Sequence, residues 1–467
     1  MNRKSIHLLL LIALVALTRI PFIFDGYGTE EDSWGLVVNA HEMKESGHYV
    51  ASRFPGHPVQ EYAYRMICDQ PAWVYNFLSV IVSCIAVAFF FLALGKMQLS
   101  GKIKTTLLLC FTPAFFIAGT YTIDFNWALA FVLASFYFLL GRKFIIAGIM
   151  IGLATGCRIT SGIFLLPWAM LLFNRLDLRA WLKELLLVSI PAVIIGMLLY
   201  VPAYLNYGTA FFDYSDQFPY PPVAKVLYKM SIGVWGIPGL TAIALSVFAA
   251  VKTIREKNIN APVLFSPQRL AAVCAAIIVL HVVSYLRLPQ KSGYMMPAVP
   301  FVILLIALFV RGKWLNTVTA LFVIAPFLFG MNLTDNLRGS EYSPLAVRFH
   351  SSGQEIFFDP LTGPALSERS KRKNKMNYCS EVAASLDTLS SPSCIISGWW
   401  YNELVVNYYS QEKNKNATLE FYSTCAHLDS LRKEGVRIYF LPEQDLYNDE
   451  MFGQNCTDSI AKPFPVQ

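Results

Sequence analysis

Apolar runs long enough to cross a bilayer occupy most of the first 330 residues of the chain. A transmembrane helix needs about 20 predominantly apolar residues. Runs of this kind lie at residues 5–24, 71–94, 105–121, 124–140, 184–204, 231–251, 270–288, 294–310 and 314–330. The run 144–173 is interrupted by Gly156, Cys157 and Arg158, and it is long for one span and short for two. We therefore expect two short helices there and about eleven membrane segments in all.

The distribution of charge divides the chain into two parts. Charged residues make up 15% of the sequence, against about 25% in an average soluble domain, and they are sparse up to Gly330 and frequent after Asn332. We predict a membrane domain at residues 1–330 and a soluble domain at residues 331–467. The N-terminal run has a positive start and an apolar core without a small-residue cleavage site. We interpret it as a retained first helix, with a removed signal peptide as the alternative.

The basic residues indicate which side of the membrane each loop occupies. The net charge of +7 invites a nucleic-acid partner, but with the N-terminus in the cytoplasm every cytoplasmic loop contains Lys or Arg, as the positive-inside rule requires. No nucleic-acid partner is therefore predicted. The opposite side then holds the loop 25–70, the GCRITSG turn, the loop 205–230, the LPQKSGY turn and the tail. We expect a multi-pass protein of the inner or plasma membrane, embedded in its lipids, with an extracytoplasmic C-terminal domain.

The tail alternates between strand and helix patterns. CIISGWW, ATLEFYS and VRIYFLP predict strands, HLDSLRKEG predicts a helix ended by Gly435, and NELVVNYYS fits a helix or a strand. We predict a small α/β domain that acts as a stabilising or substrate-positioning cap. Four of the nine cysteines lie in this tail, which suggests up to two disulfides with the pairing left open; they are Cys379, Cys394, Cys425 and Cys456. No spacing of Cys and His suggests a zinc site.

The loop 25–70 carries an acidic cluster close to the first membrane exit. Glu30, Glu31 and Asp32 precede SWGLVVNAHEM, in which Trp34 and His41 recur at helical spacing. This pattern predicts an amphipathic helix on the membrane surface. Its dipole would keep acids at its N-terminus ionised, so that they can act as a base or a metal ligand. The plain alternative is a solvated acidic loop.

Two further candidates lie in turns near the membrane. SRFPGHPVQEY contains a rigid Pro-Gly-Pro turn that would present Arg53 and His57 to a substrate, or simply to solvent. Asp124 opens a membrane helix, where an acid usually lines a cavity or has a partner. A simple helix cap is the alternative for this aspartate.

The remaining candidates are cations on the outer side. Arg158 lies in GLATGCRITSG, and an arginine buried there needs a negatively charged partner. That partner is either a lipid phosphate or, in an internal salt bridge, Asp124 or Asp32. Three more candidates cluster in YLRLPQKSGYMMPAVPF, where basic side chains can bind phosphate or merely extend to the membrane surface; they are Arg287, Lys291 and Tyr294.

In their order along the chain, these motifs resemble those of the GT-C glycosyltransferases, polytopic enzymes that use polyprenyl-phosphate sugars. Glu31-Asp32 in TEEDSWG looks like the catalytic acid motif of that family, and Gly47-His48-Tyr49 with SRFPGHP looks like the loop that follows it. The segment from IDFNWALAF to GLATGCRITSG resembles the family's middle helices, and KSGYMMPAVPF resembles its late basic-Tyr motif. The acids here read Glu-Glu-Asp rather than Asp-Glu, so that Glu31 and Asp32 both remain candidates for the catalytic carboxylate.

The resemblance implies a polytopic α-helical membrane protein with a GT-C-like domain and an integral membrane hexosyl- or pentosyltransferase activity. The donor would be a polyprenyl-phosphate sugar, the acceptor a hydroxyl of a lipid, a glycan or a protein, and the transfer inverting. Catalysis would involve Asp32, Glu31 and Asp124, with Arg53, Arg158 and Lys291 at the phosphate. The resemblance establishes no cofactor, and a divalent metal ion at the acids remains a candidate. The alternatives are a transporter or flippase, which should show inverted repeats and midplane charges, and a non-catalytic cell-envelope assembly protein.

Overall fold

A computed structural model of the protein describes residues 3–212, 220–256, 259–260, 262–333, 342–351, 354–409, 414–441, 448 and 462–466. The helices before residue 330 are α1 Arg3–Arg19, α2 Glu31–Ser46, α3 Pro58–Arg65, α4 Ala72–Lys96, α5 Lys102–Cys110, α6 Pro113–Ala118, α7 Phe125–Leu140, α8 Phe144–Cys157, α9 Leu165–Leu172, α10 Leu178–Tyr207, α11 Val223–Met230, α12 Ile232–Arg255, α13 Pro267–Arg287, α14 Val299–Phe309 and α15 Gly312–Ile324.

Six helical segments of the described chain are long and apolar enough to cross a membrane; they are Ser5–Phe22, Ala72–Lys96, Leu178–Phe212, Ile232–Arg255, Pro267–Arg287 and Ser292–Phe309. Shorter apolar helices span Phe125–Leu140, Phe144–Cys157 and Ile159–Leu172. The protein is therefore a polytopic helical membrane protein, while a total of eleven spans stays a prediction. The run predicted at 105–121 is divided because Pro113, which has no N–H to continue α5, begins α6.

The interrupted run 144–173 forms two short helices, as the sequence predicts. α8 ends at Cys157, and a 3₁₀ segment from Ile159 to Phe164 leads into α9. α8 packs closely against α10, since a Cβ atom on Gly148 would lie 2.2 Å from the main-chain oxygen of Val188. Small residues permit such close helix approach in membranes. This packing fixes the end of α8, where Arg158 follows.

The tail contains two sheets and three described helices. The helices are α16 Pro364–Asp387, α17 Tyr401–Tyr409 and α18 Cys425–Lys433, and the strands are β1 Gly330–Asn332, β2 Val347–Ser351, β3 Gln354–Asp359, β4 Ser393–Ile396, β5 Ala417–Glu420, β6 Arg437–Phe440 and β7 Lys462–Pro463. An antiparallel sheet has the order β1-β3-β2, and a parallel sheet has the order β5-β4-β6-β7 with Ile395 opposite both Leu419 and Tyr439. NELVVNYYS proves to be a helix. The division of the chain at residue 330 remains a prediction.

α16 anchors the tail to the membrane helices. The buried Arg372 donates to the main-chain oxygens of Phe22, at 3.1 Å, and of Thr120, at 3.0 Å. The Arg369 Nε donates to Asp25 Oδ2 at 2.8 Å. A buried guanidinium that satisfies carbonyls from two elements resists displacement, because its removal from them would leave buried polar groups unpaired. The tail is thus held next to the loop that leads into α2.

Of the up to two disulfides predicted in the tail, the described part of the structure shows one, which involves Cys425. Cys379 and Cys394 are free and buried, whereas Cys425 is disulfide-bonded and Cys456 lies outside the described residues. Cys379 packs with Ile395 in one core cluster, while Cys394 packs with Ile396 in another. Since successive residues of a strand face opposite sides of the sheet, the two thiols belong to different layers. Each behaves there as a small hydrophobe.

Candidate active site

α2 begins at the acidic cluster and is buried within the protein over its first half. Glu30 caps the helix, and Glu31 and Asp32 form its first turn, where the helix dipole favours negative charge. Every residue from Ser33 to Ala40 is buried, because α3 and the tail helix α17 both pack on α2. The prediction of a surface amphipathic helix is therefore wrong. The acids open into the interior of the protein rather than into the lipid headgroups.

Asp32 is held between two cations. Its Oδ2 lies 2.7 Å from Arg53 Nη1, and it also accepts a hydrogen bond from Lys291 Nζ. Lys291 contacts Glu30 Oε2 at 2.9 Å as well. Burial would raise the pKa of Asp32, but Arg53 and Lys291 together keep that pKa below its ordinary value. Asp32 is therefore a carboxylate at neutral pH.

Asp124, the N-cap residue of α7, is the second carboxylate that contacts Arg53. Its side chain makes no helix-capping hydrogen bond. It contacts Arg53 Nη2 at 2.8 Å, Arg158 through a charge-assisted hydrogen bond, and His57 Nδ1 at 3.7 Å. Arg53 thus bridges two carboxylates 92 positions apart in the chain. The internal salt bridge considered for Arg158 is formed with Asp124.

Aromatic rings fix the guanidinium of Arg158. Its Cζ lies 4.8 Å from the centroid of the Phe125 ring and 4.7 Å from that of Tyr294. The two rings themselves meet edge to face with centroids 6.0 Å apart. A guanidinium that faces aromatic rings gains cation–π energy and loses freedom of rotation. Tyr294 therefore holds the cation in place.

The turn that carries Arg53 and His57 is organised by the buried carboxylate of Glu61. Glu61 accepts hydrogen bonds from Tyr49 Oη at 2.6 Å, from the main-chain N–H of Ser52 at 2.9 Å and from that of His57 at 2.9 Å. Gly56 has φ +94° and leaves no room for a side chain, since a Cβ there would lie 2.3 Å from the Tyr49 hydroxyl. The turn is rigid, as predicted. The role of Glu61 was not anticipated from the sequence.

His57 is a neutral imidazole with one ring nitrogen available. Burial lowers the pKa of His57, and the charge of Arg53 lowers it further. Nδ1 lies 2.6 Å from the Cys157 carbonyl oxygen, so we assign the ring proton to Nδ1. The Nε2 atom is buried without a hydrogen-bond partner among the described residues. It can accept a hydrogen bond from a ligand.

These groups line a cavity of about 1470 Å³. The apolar part of the wall comes from α6, α12 and the segment after α13, and includes Ala114, Ile117, Ala118, Ile232 and Leu288. The tail closes another side with Trp399, Asn402 and Phe421. A cavity that combines charged groups with apolar wall residues suits an amphiphilic ligand.

Three further cations line the cavity outside the charged cluster; they are Lys229, Arg287 and Lys371. Burial lowers the pKa of Lys229 to about 8, and the neighbouring Lys225 contributes to the shift. Arg287 was predicted as a substrate-binding residue, whereas Lys229 and Lys371 were missed. Lys229 lies in the loop 205–230, which the positive-inside rule places on the outer side, where no cation is required. This unexplained position could have identified Lys229 as a candidate from the sequence.

Glu31 makes no ion pair with the cations among the described residues and instead contacts the tail. Asn402 Nδ2 donates to Glu31 Oε1 at 3.1 Å. Burial raises the pKa of Glu31 to about 8, and the carboxylates of Glu403 and Asp32 add to the effect. Glu403 is itself buried in an ion pair with Lys375, whose Nζ donates to the Thr29 main-chain oxygen at 2.9 Å. Glu31 is therefore mostly protonated at neutral pH.

The charges of the cluster balance one another. Three carboxylates, Glu30, Asp32 and Asp124, are paired with three cations, Arg53, Arg158 and Lys291. A divalent metal ion at these acids would have to displace Arg or Lys side chains. A ligand phosphate, by contrast, can take the place of a carboxylate and bind the same Arg and Lys side chains.

The fold has relatives among solved structures. The chain is similar to a crystal structure of ArnT from Cupriavidus metallidurans bound to undecaprenyl phosphate, with TM-score 0.55 and 11% identity over 97% of this chain and 89% of that chain. It is similar to the apo state of the same protein, with TM-score 0.55 and 11% identity over 96% of this chain and 95% of that chain. The chain shares the fold of these two ArnT structures. No protein-family model matches it, and no curated protein matches its sequence.

Within this fold most of the residues singled out in the sequence meet. Asp32, Arg53, His57, Asp124, Arg158, Lys291 and Tyr294 form one connected cluster. Glu31 adjoins it but turns to the tail, and Arg287 lines the same cavity without an ion pair to the cluster among the described residues. The sequence did not reveal Lys375, Asn402 or Glu403, because these residues belong to the tail and act on the start of α2 at least 346 positions away. Glu61 was also missed, although its partners lie within 12 positions of it in the same loop.

Proposed function

We propose that the protein is an integral membrane glycosyltransferase that moves a sugar from a polyprenyl-phosphate donor to an acceptor hydroxyl. The observation that carries this proposal is the convergence of Asp32, Asp124 and three cations at a cavity that combines charged groups with apolar wall residues. The fold supports it, and ArnT, which shares that fold, was crystallised with undecaprenyl phosphate.

The donor phosphate binds at Arg53, Arg158 and Lys291. In the structure these cations contact carboxylates, and a phosphate competes for the same donors. Arg53 and Lys291 each have a second carboxylate, so either can leave Asp32 for the phosphate and remain neutralised. The planar fork of an Arg matches phosphate oxygens, and Lys acts as a point charge. The polyprenyl chain lies along the apolar wall of the cavity.

Asp32 is the general base. It lines the cavity with 18% of its side chain exposed, whereas the Asp124 side chain is 0% exposed behind two arginines. Glu31 is protonated near neutral pH because its pKa is raised to about 8 by burial. Movement of Arg53 or Lys291 to the phosphate removes a positive charge from Asp32, and this raises the pKa of Asp32 toward the range of a useful base. Asp124 positions Arg53 and Arg158.

The transfer is one displacement. Asp32 takes the proton of the acceptor hydroxyl, the acceptor oxygen forms a bond to the anomeric carbon, and the bond from that carbon to the phosphate oxygen breaks. The polyprenyl phosphate leaves with the electron pair, and the cations stabilise its charge. The anomeric configuration inverts. The unpartnered His57 Nε2 accepts a hydrogen bond from a sugar hydroxyl.

The acceptor enters from the outer side of the membrane, where the tail helix α17 covers α2. The N-terminus then lies in the cytoplasm of a cell bounded by this inner or plasma membrane, and residues 331–467 form the extracytoplasmic α/β domain. The acceptor hydroxyl belongs to a lipid, a glycan or a protein. No cofactor takes part in the displacement.

The test uses the purified protein in nanodiscs with a panel of polyprenyl-phosphate sugars and membranes from a strain that lacks the gene. Mass spectrometry follows polyprenyl phosphate release and sugar incorporation. Wild type should release the lipid phosphate with one donor, Asp32→Asn should not, and Glu45→Gln should match wild type because Glu45 is exposed on the same helix. Movement of a fluorescent donor across the bilayer without bond cleavage would instead show a flippase.

A further inference from the structure

A second group of chemically active side chains lies outside the cavity. His41 on α2 and the adjacent Cys68 and Asp69, which follow α3, present their ligand atoms within 4.8 Å of one another. None of the three lines the cavity. His41 lies 27 positions before the adjacent Cys68 and Asp69, so the three residues form no recognisable motif in the sequence. An imidazole, a thiol and a carboxylate at one point form a donor set typical of zinc sites.

The distances within the group are close to those of a tetrahedral site. Zn–S and Zn–O bonds of about 2.3 Å and 2.1 Å place neighbouring ligand atoms about 3.5 Å apart. Cys68 Sγ and Asp69 Oδ1 are 3.6 Å apart. All the ligand atoms lie within 4.8 Å of one another, and the half-buried His41 and the exposed Asp69 leave room for the adjustment that a bound ion requires.

The charges around the group permit a cation. Lys44 contacts Asp69 through Oδ2, whereas Oδ1 faces the thiol. Lys44 can therefore remain on one carboxylate oxygen while the other binds a metal ion. Glu45 is also close to His41 and offsets the charge of Lys44.

Cys68 is an unusual cysteine for its surroundings. Its side chain is buried and free, and it packs on Leu36, Tyr64 and Tyr75. Cys425, in the tail that covers the same α2, is disulfide-bonded. An oxidising compartment that forms one disulfide exposes an unprotected thiol near the surface to oxidation. Coordination to a metal ion protects such a thiol.

We propose that His41, Cys68 and Asp69 bind one zinc ion, with water as the fourth ligand. The thiol loses its proton on binding, and the proton passes to solvent. The ion ties the middle of α2 to the turn between α3 and α4, and so stiffens the helix whose first turn carries Asp32. This site is structural and is independent of the proposed transferase reaction.

The experiment measures zinc in full-length protein in nanodiscs after stripping with a chelator, addition of excess zinc and desalting. Wild type should retain one equivalent of zinc. Asp69→Asn and Cys68→Ser should lose it, whereas His48→Ala and Cys84→Ser should keep it, since His48 is exposed in the same loop and Cys84 lies in α4. Cobalt in place of zinc should produce a thiolate charge-transfer band that is absent from Cys68→Ser.

A measurement on wild type alone guards against misfolded variants. Peptide mapping after alkylation should show that zinc slows modification of Cys68 at least tenfold, while the reactivity of Cys84 does not change. The proposal is overturned if folded wild type retains no zinc above background, or if zinc leaves the alkylation of Cys68 unchanged. It is also overturned if Asp69→Asn and Cys68→Ser both retain as much zinc as wild type.

Discussion

The same aspartate-to-asparagine change should have different consequences at the two acids of the cluster. Asp32→Asn leaves Arg53 paired with Asp124 at 2.8 Å and Lys291 paired with Glu30 at 2.9 Å. Both cations keep a carboxylate, so the loss of unfolding free energy should be about 1.5–3 kcal/mol, the value of a charged hydrogen bond. The loss of a general base should lower the transfer rate by about 10²- to 10⁴-fold.

Among the described residues, Arg158 forms its ion pair with Asp124, and Asp124→Asn removes that carboxylate. A buried cation left without its partner typically costs about 3–5 kcal/mol. Arg158 is also fixed between Phe125 and Tyr294, which prevents it from reaching solvent easily. Asp124→Asn should therefore lose stability as well as activity.

The assay combines thermal unfolding, followed by intrinsic fluorescence in nanodiscs, with the rate of polyprenyl phosphate release at a temperature where all variants are folded. Glu45→Gln serves as the control for a neutralised acid on α2. The reasoning is refuted if Asp32→Asn retains more than about a tenth of the wild-type rate, given the general-base range above. It is equally refuted if Asp124→Asn unfolds at the same temperature as Asp32→Asn.

Four other outcomes are expected. Arg158→Lys should retain more donor kcat/KM than Arg158→Ala, which should lose roughly 10- to 100-fold; equal losses would contradict a role for charge at the phosphate. Burial raises the pKa of Glu31 to about 8 in the folded protein, so its proton binds the folded state more tightly and stability falls as pH rises from about 4.5 to 8. Glu31→Gln should thus melt like wild type at pH 5 and at a higher temperature at pH 8.5, and parallel pH profiles would rule this out. Lys375→Met should destabilise by about 3–5 kcal/mol, and Glu403→Gln in the same chain should restore much of that loss; simple additivity of the two losses would count against the buried pair. Cys425 should resist alkylation in denatured protein until reductant is added, while the other described tail cysteines react without it, and immediate labelling of Cys425 would disprove its disulfide.

The class of the protein follows from the sequence because hydropathy and charge act over short windows. A run of about 20 apolar residues crosses a bilayer wherever it occurs, and the polar loops between runs must face water. The GCRITSG break was visible for the same reason. The candidate residues could be selected because acids and cations near a membrane are expensive without a partner.

The distinction between Glu31 and Asp32 required the tertiary structure. Adjacent residues on a helix point about 100° apart, so that only one of the two can face the cations. Asp32 faces Lys291, which lies 259 positions along the chain, and Glu31 faces Asn402, which lies 371 positions along it. The sequence pattern of α2 describes one helix and contains no information about which elements cover its sides. This is also why α2 was mistaken for a surface helix.

The sequence alone determined a polytopic membrane protein with a strand-and-helix tail, and a set of candidate acids and cations on one side. Only the tertiary structure decided that Arg53 joins Asp32 to Asp124, that Cys379 and Cys394 lie in different layers of the tail, and that His41 meets Cys68. The physical reason is the range of the interactions. Burial in a bilayer depends on a residue and its near neighbours, whereas an ion pair depends on where the packing of distant helices places two atoms within about 3 Å.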